Sequence, residues 1–547
     1  MQENNRNLIL AIVLSVIVMF GWGSLAEYVG WVKRPDPAEV AKIEAEQRAR
    51  QEQAAAEAEK LAAHKAEQAK LPLFAPAPGK EIALTTPLYT AKLYTGGGVL
   101  RGLTLQRFHT TLGDNAPLVT LVNEQTAAVA PLGLLINGQP SWSLGKWASD
   151  STDCHLDAGQ RQTLTLTGEM DGIRMVREMT FDADTYLVRE KLHLTLAGDT
   201  PRQVRVGYTV AETGLPGSST YNAMRLAWQL DGSMQSEDDQ KDLTEKGVQA
   251  TGTIAWAAAM NTYFMMAVAP ADTANLTLKG RVQNDVYRVA LEQPEILLSP
   301  GQPRILEVAY WAGPKERAKL LEAPNDLANT IDLGMFSLIG KVILWLMQNF
   351  YSFTHNWGVA ILLLTLLIKA LFWPLTAKSY RSMEQMKKLQ PMMNALKEKY
   401  GDDKEALNRE MMALYKTYGV NPASGCIPIL VQLPVFFGLY QALITSIELR
   451  HASFIPTLPG TDITWLADLS AADPLYITPI VMGATMFIQQ KMSPPAGDAT
   501  QQKIMMFLPL IFTVMFLSFP SGLVLYWLVN NILSIAQQWM MIRKKAA

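Results

Sequence analysis

The stretch Ala360-Ile-Leu-Leu-Leu-Thr-Leu-Leu-Ile-Lys-Ala-Leu-Phe-Trp-Pro decides how this chain is read. Its first part closes a run from Val342 to Ile368 without Asp, Glu, Lys or Arg, and Lys369 ends that run. About 20 apolar residues in helical form cross a bilayer, so this run is long enough to span one. Four further charge-free runs lie at Asn7–Ala26, Thr417–Ile447, Pro474–Gln490 and Ile504–Ile542. As one helix the last would be roughly 58 Å long, nearly twice the hydrocarbon thickness. Phe519-Pro-Ser-Gly breaks it, which predicts two helices at 504–518 and 523–541. Six spans result.

Orientation follows from the short loops. Lys378 to Lys416 carries nine Lys and Arg, and Arg543, Lys544 and Lys545 follow the last span. Glu448 to Asp473 has one Arg against four acids. Positive loops stay inside. Both termini are therefore expected inside, with residues 28–340 and 448–473 outside; Lys33 and Arg34 oppose this weakly. Residues 1–27 read as an anchor. The rival reading, a cleaved signal peptide, meets Gly23-Ser-Leu-Ala, which only approaches a small-x-small cleavage site.

The soluble parts differ sharply. Residues 28–80 are rich in Ala, Glu, Gln and Lys and end in Leu71-Pro-Leu-Phe-Ala-Pro-Ala-Pro-Gly, which reads as a helical or Pro-rich tether. Residues 81–330 change to period two. Gln162-Thr-Leu-Thr-Leu-Thr-Gly and Leu192-His-Leu-Thr-Leu alternate, and turns such as Asp171-Gly172 and Ser299-Pro-Gly separate the strands. A large antiparallel β-sandwich is expected. Gly96-Gly-Gly reads as a turn or bulge rather than a phosphate cradle, because no helical pattern follows. Cys154 is expected to be a buried small hydrophobe, and Lys315–Asn329 a polar connecting helix.

Residues 331–350 hold Phe336, Ile339, Ile343, Leu346 and Met347 on one side, with Lys341 and Gln348 off it. This predicts an amphipathic helix lying in the outer interface; the alternative is a simple extension of the span that begins near Trp357. Residues 351–541 then form the helical core, and 542–547 a basic tail. Residues 378–418 read as a cytoplasmic helical hairpin. Met383, Met386, Gln390, Met393, Leu396 and Tyr400 form one seam; Leu407, Met411, Leu414 and Tyr418 form the other. Gly401-Asp-Asp turns the chain, and Pro391 should kink the first arm. Met392 and Met412 fall off the seam. Together with Arg381 and Lys388 they are the candidates for partner contact.

Composition narrows the chemistry. The net charge of -2 over 547 residues excludes a nucleic-acid binder driven by global charge. Two cysteines cannot build a disulfide framework or a zinc site with four cysteine ligands. The chain has no HExxH, no GxSxG, no useful carboxylate pair and no nucleotide-binding motif. No enzyme, metal or cofactor is expected.

Lys369 is the sharpest feature. It lies roughly 10 Å inside the boundary marked by Trp373, Pro374 and Lys378, where a cation costs up to about 2.5–3.5 kcal/mol. It either snorkels to the headgroups or faces water. Thr365, one turn before it, shares its face. Gln432, Thr485, Thr513, Tyr526, Asn530 and Asn531 lie in other spans, each able to make an ordinary interhelical hydrogen bond. With a lysine and no carboxylate in any span, the set predicts a hydrated, positively charged cavity. A transporter with a binding domain, or a purely structural assembly factor, are the rival readings; no inverted repeat supports the first.

At these residues the sequence closely resembles the YidC/Oxa/Alb family of membrane protein insertases. The resemblance runs through Pro374-Leu-Thr, Glu410-Met-Met-Ala-Leu-Tyr-Lys, Gly425-Cys-Ile-Pro, Gln432-Leu-Pro-Val-Phe, Gly483-Ala-Thr-Met-Phe-Ile-Gln-Gln-Lys-Met-Ser-Pro and Phe519-Pro-Ser-Gly-Leu-Val-Leu-Tyr-Trp. It implies a multi-domain membrane protein: a polytopic α-helical bundle with a five-helix core, plus a periplasmic antiparallel β-supersandwich. It further implies a hydrophilic groove lined by Lys369, Thr365, Gln432, Tyr526 and Asn530, where many relatives have Arg in place of the lysine. Trp527 stands where many have Tyr, which should reduce its polar contact. Implied partners are nascent membrane proteins, the Sec translocon, the ribosome and signal recognition components through the cytoplasmic loops, and the lipid bilayer, with no specific nucleic acid. The implied location is the bacterial inner membrane.

Overall fold

The computed structural model describes residues 78–113, 115–215, 222–401, 403–420, 427–492 and 499–543. The first expected span, the tether up to residue 77 and the tail from residue 544 lie outside the described residues.

Between Glu81 and Pro314 the alternating sequence becomes strands because each alternate residue finds a buried face. Leu276–Gln283 alternates buried and half-buried at every step. Three large sheets form among the described residues. The first has nine strands, with Phe264–Pro270, Arg304–Pro314 and Leu187–Leu196 at its middle. The second has six, with Val286–Glu292 and Val206–Glu212 at its middle, and the third has five. Phe264–Pro270, Val206–Glu212 and Val286–Glu292 are buried at every residue, so both of their faces are covered. Val206–Glu212 packs on Ile254–Met260 and Phe264–Pro270, which brings the six-stranded sheet onto the nine-stranded one. Asp171 and Gly172 both take positive φ in the two-residue turn joining Arg161–Met170 to Ile173–Asp182. That turn matches the strand twist.

The triple glycine is a structural device. Gly97 and Gly98 have φ of +119° and +67°, and a Cβ on Gly97 would meet the Trp142 Cβ at 2.6 Å. The turn aims the carbonyls of Gly97 and Gly98 at the Arg177 guanidinium. Arg177 also donates to Leu132 O at 2.8 Å and forks onto Glu190, with Nε to Oε1 and Nη2 to Oε2 both at 2.7 Å. Both side chains are fully buried. An ion pair out of water holds only when its remaining donors are met, and the glycine turn meets them.

Two expectations for this domain are corrected. Cys154 is half-buried at the end of the five-stranded sheet, since its short strand pairs on one side only. Lys315–Asn329 is not a helix. It holds one turn at Arg317–Leu320 and a 3-10 turn at Leu327–Thr330, because Pro324 supplies no donor between them. Lys315 itself is buried, its ammonium 3.2 Å from Asn261 O. Burial pushes its pKa down to about 7. The nearby Glu212, also buried, receives Asn261 Nδ2 at 3.3 Å, and burial pushes its pKa up to about 8.

Seven helices follow among the described residues: α1 Ser337–Thr354, α2 Trp357–Tyr400, α3 Lys404–Thr417, α4 Ile427–Thr445, α5 Ile477–Met492, α6 Ala499–Phe516 and α7 Ser521–Arg543. His355 in the left-handed region ends α1, and Asn356 caps α2 by accepting from Val359 N at 3.1 Å. Pro520 lies between α6 and α7. Among the described residues α2 alone is long and apolar enough to cross a membrane; Leu430–Thr445 and Met506–Phe516 are shorter apolar stretches.

α1 departs from the expected one-sided pattern. Ile343, Leu344 and Met347 are buried, while Leu338, Val342, Trp345 and Phe353 form a second, exposed apolar stripe. The buried side packs on α2 and on α4, where Gly340 and Gly438 allow close approach. α2 runs unbroken through Pro374 and Pro391, so the first arm of the hairpin is the end of that helix rather than a separate one.

The loop after α4 reaches the β domain. Arg450 donates to His109 O at 2.7 Å and Thr110 O at 3.0 Å, and its guanidinium lies 5.6 Å from the Phe264 ring centre. Ile447 joins the β-domain core.

Candidate substrate groove

α7 carries Tyr526, Asn530, Ser534 and Gln538 at steps of four, with Gln537 beside the last. Steps of four stack on one helix face. The polar face is met by three other helices, as apolar surroundings demand of buried polar groups. From α4, Gln432 Nε2 donates to Tyr526 Oη at 3.2 Å and to Asn530 Oδ1 at 3.1 Å. From α2, Lys369 Nζ donates to Ser534 Oγ at 2.6 Å. Ser534 Oγ in turn donates to Asn530 O at 2.7 Å. Further along α2, Thr376 Oγ1 accepts from Gln537 Nε2 at 2.7 Å. From α5, Met492 O accepts from Gln538 Nε2 at 2.9 Å, and Thr485 Oγ1 accepts from Asn531 Nδ2 at 3.4 Å. A polar seam therefore runs along α7 and binds α2, α4 and α5 to it.

Lys369 supplies the charge. Among the described residues no carboxylate lies within 4.0 Å of its ammonium. Its one hydrogen-bond partner there is a neutral hydroxyl. Lysine carries three donors, so two of its N–H bonds have no protein acceptor among the described residues.

Lys369, Gln432, Tyr526 and Asn530 meet along this seam. Thr365 and Trp527 do not. The Thr365 hydroxyl is buried and donates back to Ile361 O at 2.7 Å on its own helix. Trp527 stands in an aromatic cluster, its ring centre 4.9 Å from Phe436, 5.4 Å from Phe516 and 6.0 Å from Phe512. An indole is drawn there by the apolar area it buries. Ser534, Gln537 and Gln538 are absent from the sequence-derived set, although the four-residue spacing from Tyr526 points to Ser534 and Gln538.

In the hairpin, Asp403 caps α3 by accepting from Glu405 N and Ala406 N. Leu389 and Ala406 are buried, and Tyr415 Oη reaches Met393 Sδ at 4.0 Å across the two arms. Met392 and Met412 are 43% and 63% exposed, so the apolar surface they offer is not used by the hairpin itself. Arg381 and Lys388 are exposed on the same arm as Met392.

Residues 81–346 match the YidC periplasmic domain family, and residues 349–547 match the 60Kd inner membrane protein family. The chain is 54% identical over 542 residues to a protein of Nitratidesulfovibrio vulgaris (strain DP4) named membrane protein insertase YidC, covering 99% of each. It is 50% identical over 540 residues to the one of Lawsonia intracellularis, again covering 99% of each. To that of Geobacter sulfurreducens it is 39% identical, over 83% of this chain and 84% of the relative. Among solved structures, an active YidC insertase overlaps 85% of this chain and 94% of its own, with TM-score 0.35 and 19% identity. A galactose mutarotase-like protein from Lactobacillus casei overlaps 42% of this chain and 99% of its own, with TM-score 0.31 and 11% identity.

Proposed function

We propose, from the premise that this chain belongs to the YidC family of membrane protein insertases, that it inserts client segments along the polar seam built around Lys369. The family is one of insertases and not of enzymes, and it is an inner-membrane family. One observation carries the reading: a cation inside an apolar bundle has a serine as its partner and, among the described residues, no acid. An uncompensated charge at such depth is costly, and a bundle serving only as an anchor gains nothing from it.

The mechanism follows from the seam's chemistry. The polar, translocated part of a client enters from the cytoplasmic side and exchanges water for Gln432, Tyr526, Asn530 and Ser534. The positive field of Lys369 attracts acidic residues in that part. The apolar part then leaves sideways past α4 and α6. Leu430, Leu433, Phe437, Leu510, Ile511 and Val514 are exposed there, which supports a lipid-facing exit. Each Å² of apolar surface moved out of water yields about 25 cal/mol, so no nucleotide hydrolysis is required.

The finer architecture belongs to the same proposal. Six spans, a periplasmic β-supersandwich and cytoplasmic termini fit the charge pattern. The Arg450 contacts put the loop after α4 and the β domain on one side of the bundle, which supports that topology. The exposed Met392 and Met412, with Arg381 and Lys388 on the hairpin, receive the nascent chain, the ribosome or signal recognition components. The protein acts alone or with the Sec translocon.

The test is insertion by the purified protein in phospholipid vesicles, read as the protease-protected fraction of a single-span client with an acidic translocated tail. Lys369→Arg retains insertion. Lys369→Glu loses it at least about tenfold, because a buried charge of the client's own sign repels the tail. Equal yields from Lys369→Glu and the unmodified protein would reject the role of the charge.

A further inference from the structure

We propose that Ser534 is a positioning residue: it keeps the Lys369 ammonium on the seam and leaves its charge uncancelled. The inference rests on the groove reading above.

The lysine has a competing place to go. Its stem carries the ammonium over a distance comparable to its depth below the headgroups, and long cations in spans snorkel by default. Something must hold it on α7. Ser534 is 3% exposed. Its proton is committed to Asn530 O at 2.7 Å, so its lone pairs face the ammonium at 2.6 Å. The hydroxyl of Tyr380, three turns beyond Lys369 on α2, approaches the same serine. Asn530 meanwhile uses its side-chain oxygen to accept from Gln432. Serine, asparagine and glutamine thus lock one another, and the lysine is bound to the locked end.

The chemistry of the acceptor matters as much as its place. A carboxylate at this position would hold the amine more strongly, since hydrogen bonds to ionised groups are about twice as strong. It would also remove the positive field that a client's acid senses. A hydroxyl holds the amine and leaves the charge intact. Two of the ammonium's donors then remain for water or for a client carboxylate.

Three substitutions separate these functions. Each is made in the full chain, reconstituted in phospholipid vesicles, and given two clients: one with an acidic translocated tail and one with the acids changed to their amides. Ser534→Ala releases the amine and lowers insertion of the acidic client at least about tenfold, the scale of one hydrogen bond to a charged group, with less than about a twofold effect on the amide client. Ser534→Thr restores both. Ser534→Asp keeps the amine in place and lowers the acidic client at least as much as Ser534→Ala. Ser534→Ala equal to the unmodified protein on the acidic client overturns the inference, as does an equal loss on both clients, which marks a packing role. Lys369→Met runs alongside. If it inserts the acidic client normally, the groove reading itself is wrong. If it fails while Ser534→Ala succeeds, only the positioning role is wrong.

Discussion

The β domain buries a cation and the helical bundle half-buries another, and they treat them in opposite ways. Arg177 is surrounded: two bonds to Glu190 and carbonyls from Gly97, Gly98 and Leu132. Among the described residues Lys369 has one serine. At Arg177 the β domain satisfies its buried charge completely, since any remainder there would be a direct loss. The bundle withholds that satisfaction. On the groove reading the difference separates structural polarity from functional polarity, and exposure runs the same way: Arg177 is fully buried and Lys369 half-buried.

Perturbing each side sharpens the contrast. Glu190→Ala has the largest expected effect. It strands the guanidinium and destabilises the β domain by about 3–5 kcal/mol, measured by denaturant unfolding followed through its buried tryptophans. Should that cost be near zero, the complete pairing of Arg177 would have no energetic meaning and the comparison would fail.

Glu212 tests the middle ground, a buried acid with little compensation. Its pKa in the fold, about 8, lies above the ordinary 4.5. The folded form therefore holds the proton more strongly, and stability falls as pH rises from about 4.5 to about 8. Lys315, lowered to about 7, acts oppositely from about 7 to about 10.5. The β domain's unfolding midpoint should drop by several degrees between pH 5 and pH 8. Glu212→Gln should flatten that limb. A midpoint that changes identically with and without the carboxyl would show that Glu212 does not titrate there.

The smallest expected effect lies at the hairpin. Changing Met392 and Met412 together to Ser should leave thermal stability within about 0.5 kcal/mol, as for exposed positions, yet reduce client crosslinking to the hairpin about twofold, the scale of losing adaptable apolar contact. A loss of hairpin helicity instead would return both methionines to a packing role.

Much of this architecture was legible because its causes are periodic. Leu164 and Leu166 are buried and Thr163 and Thr165 exposed, as the alternation required. Phe519-Pro520 separates α6 from α7 because proline gives the helix no donor. The illegible features depend on partners far away in sequence. Nothing near Arg177 announces carbonyls some 80 residues earlier. Trp527 left the polar seam because three phenylalanines from α4 and α6 surround it, and pattern along α7 cannot show them. Ser534 was silent for a different reason. A serine in an apolar helix ordinarily bonds its own backbone, as this one does, and only the approach of Lys369 gives it a second use.

The unbroken course of α2 has a mechanical consequence. Its 44 residues form a rod of about 66 Å with the amine near one third of its length and the hairpin at its far end. The two are parts of one shaft whose ladder of backbone bonds lacks a rung at Pro374 and at Pro391. A torque applied by whatever docks at the hairpin thus reaches the level of the amine through both prolines, and Pro374, a few residues from the amine, is the nearer place for the shaft to yield.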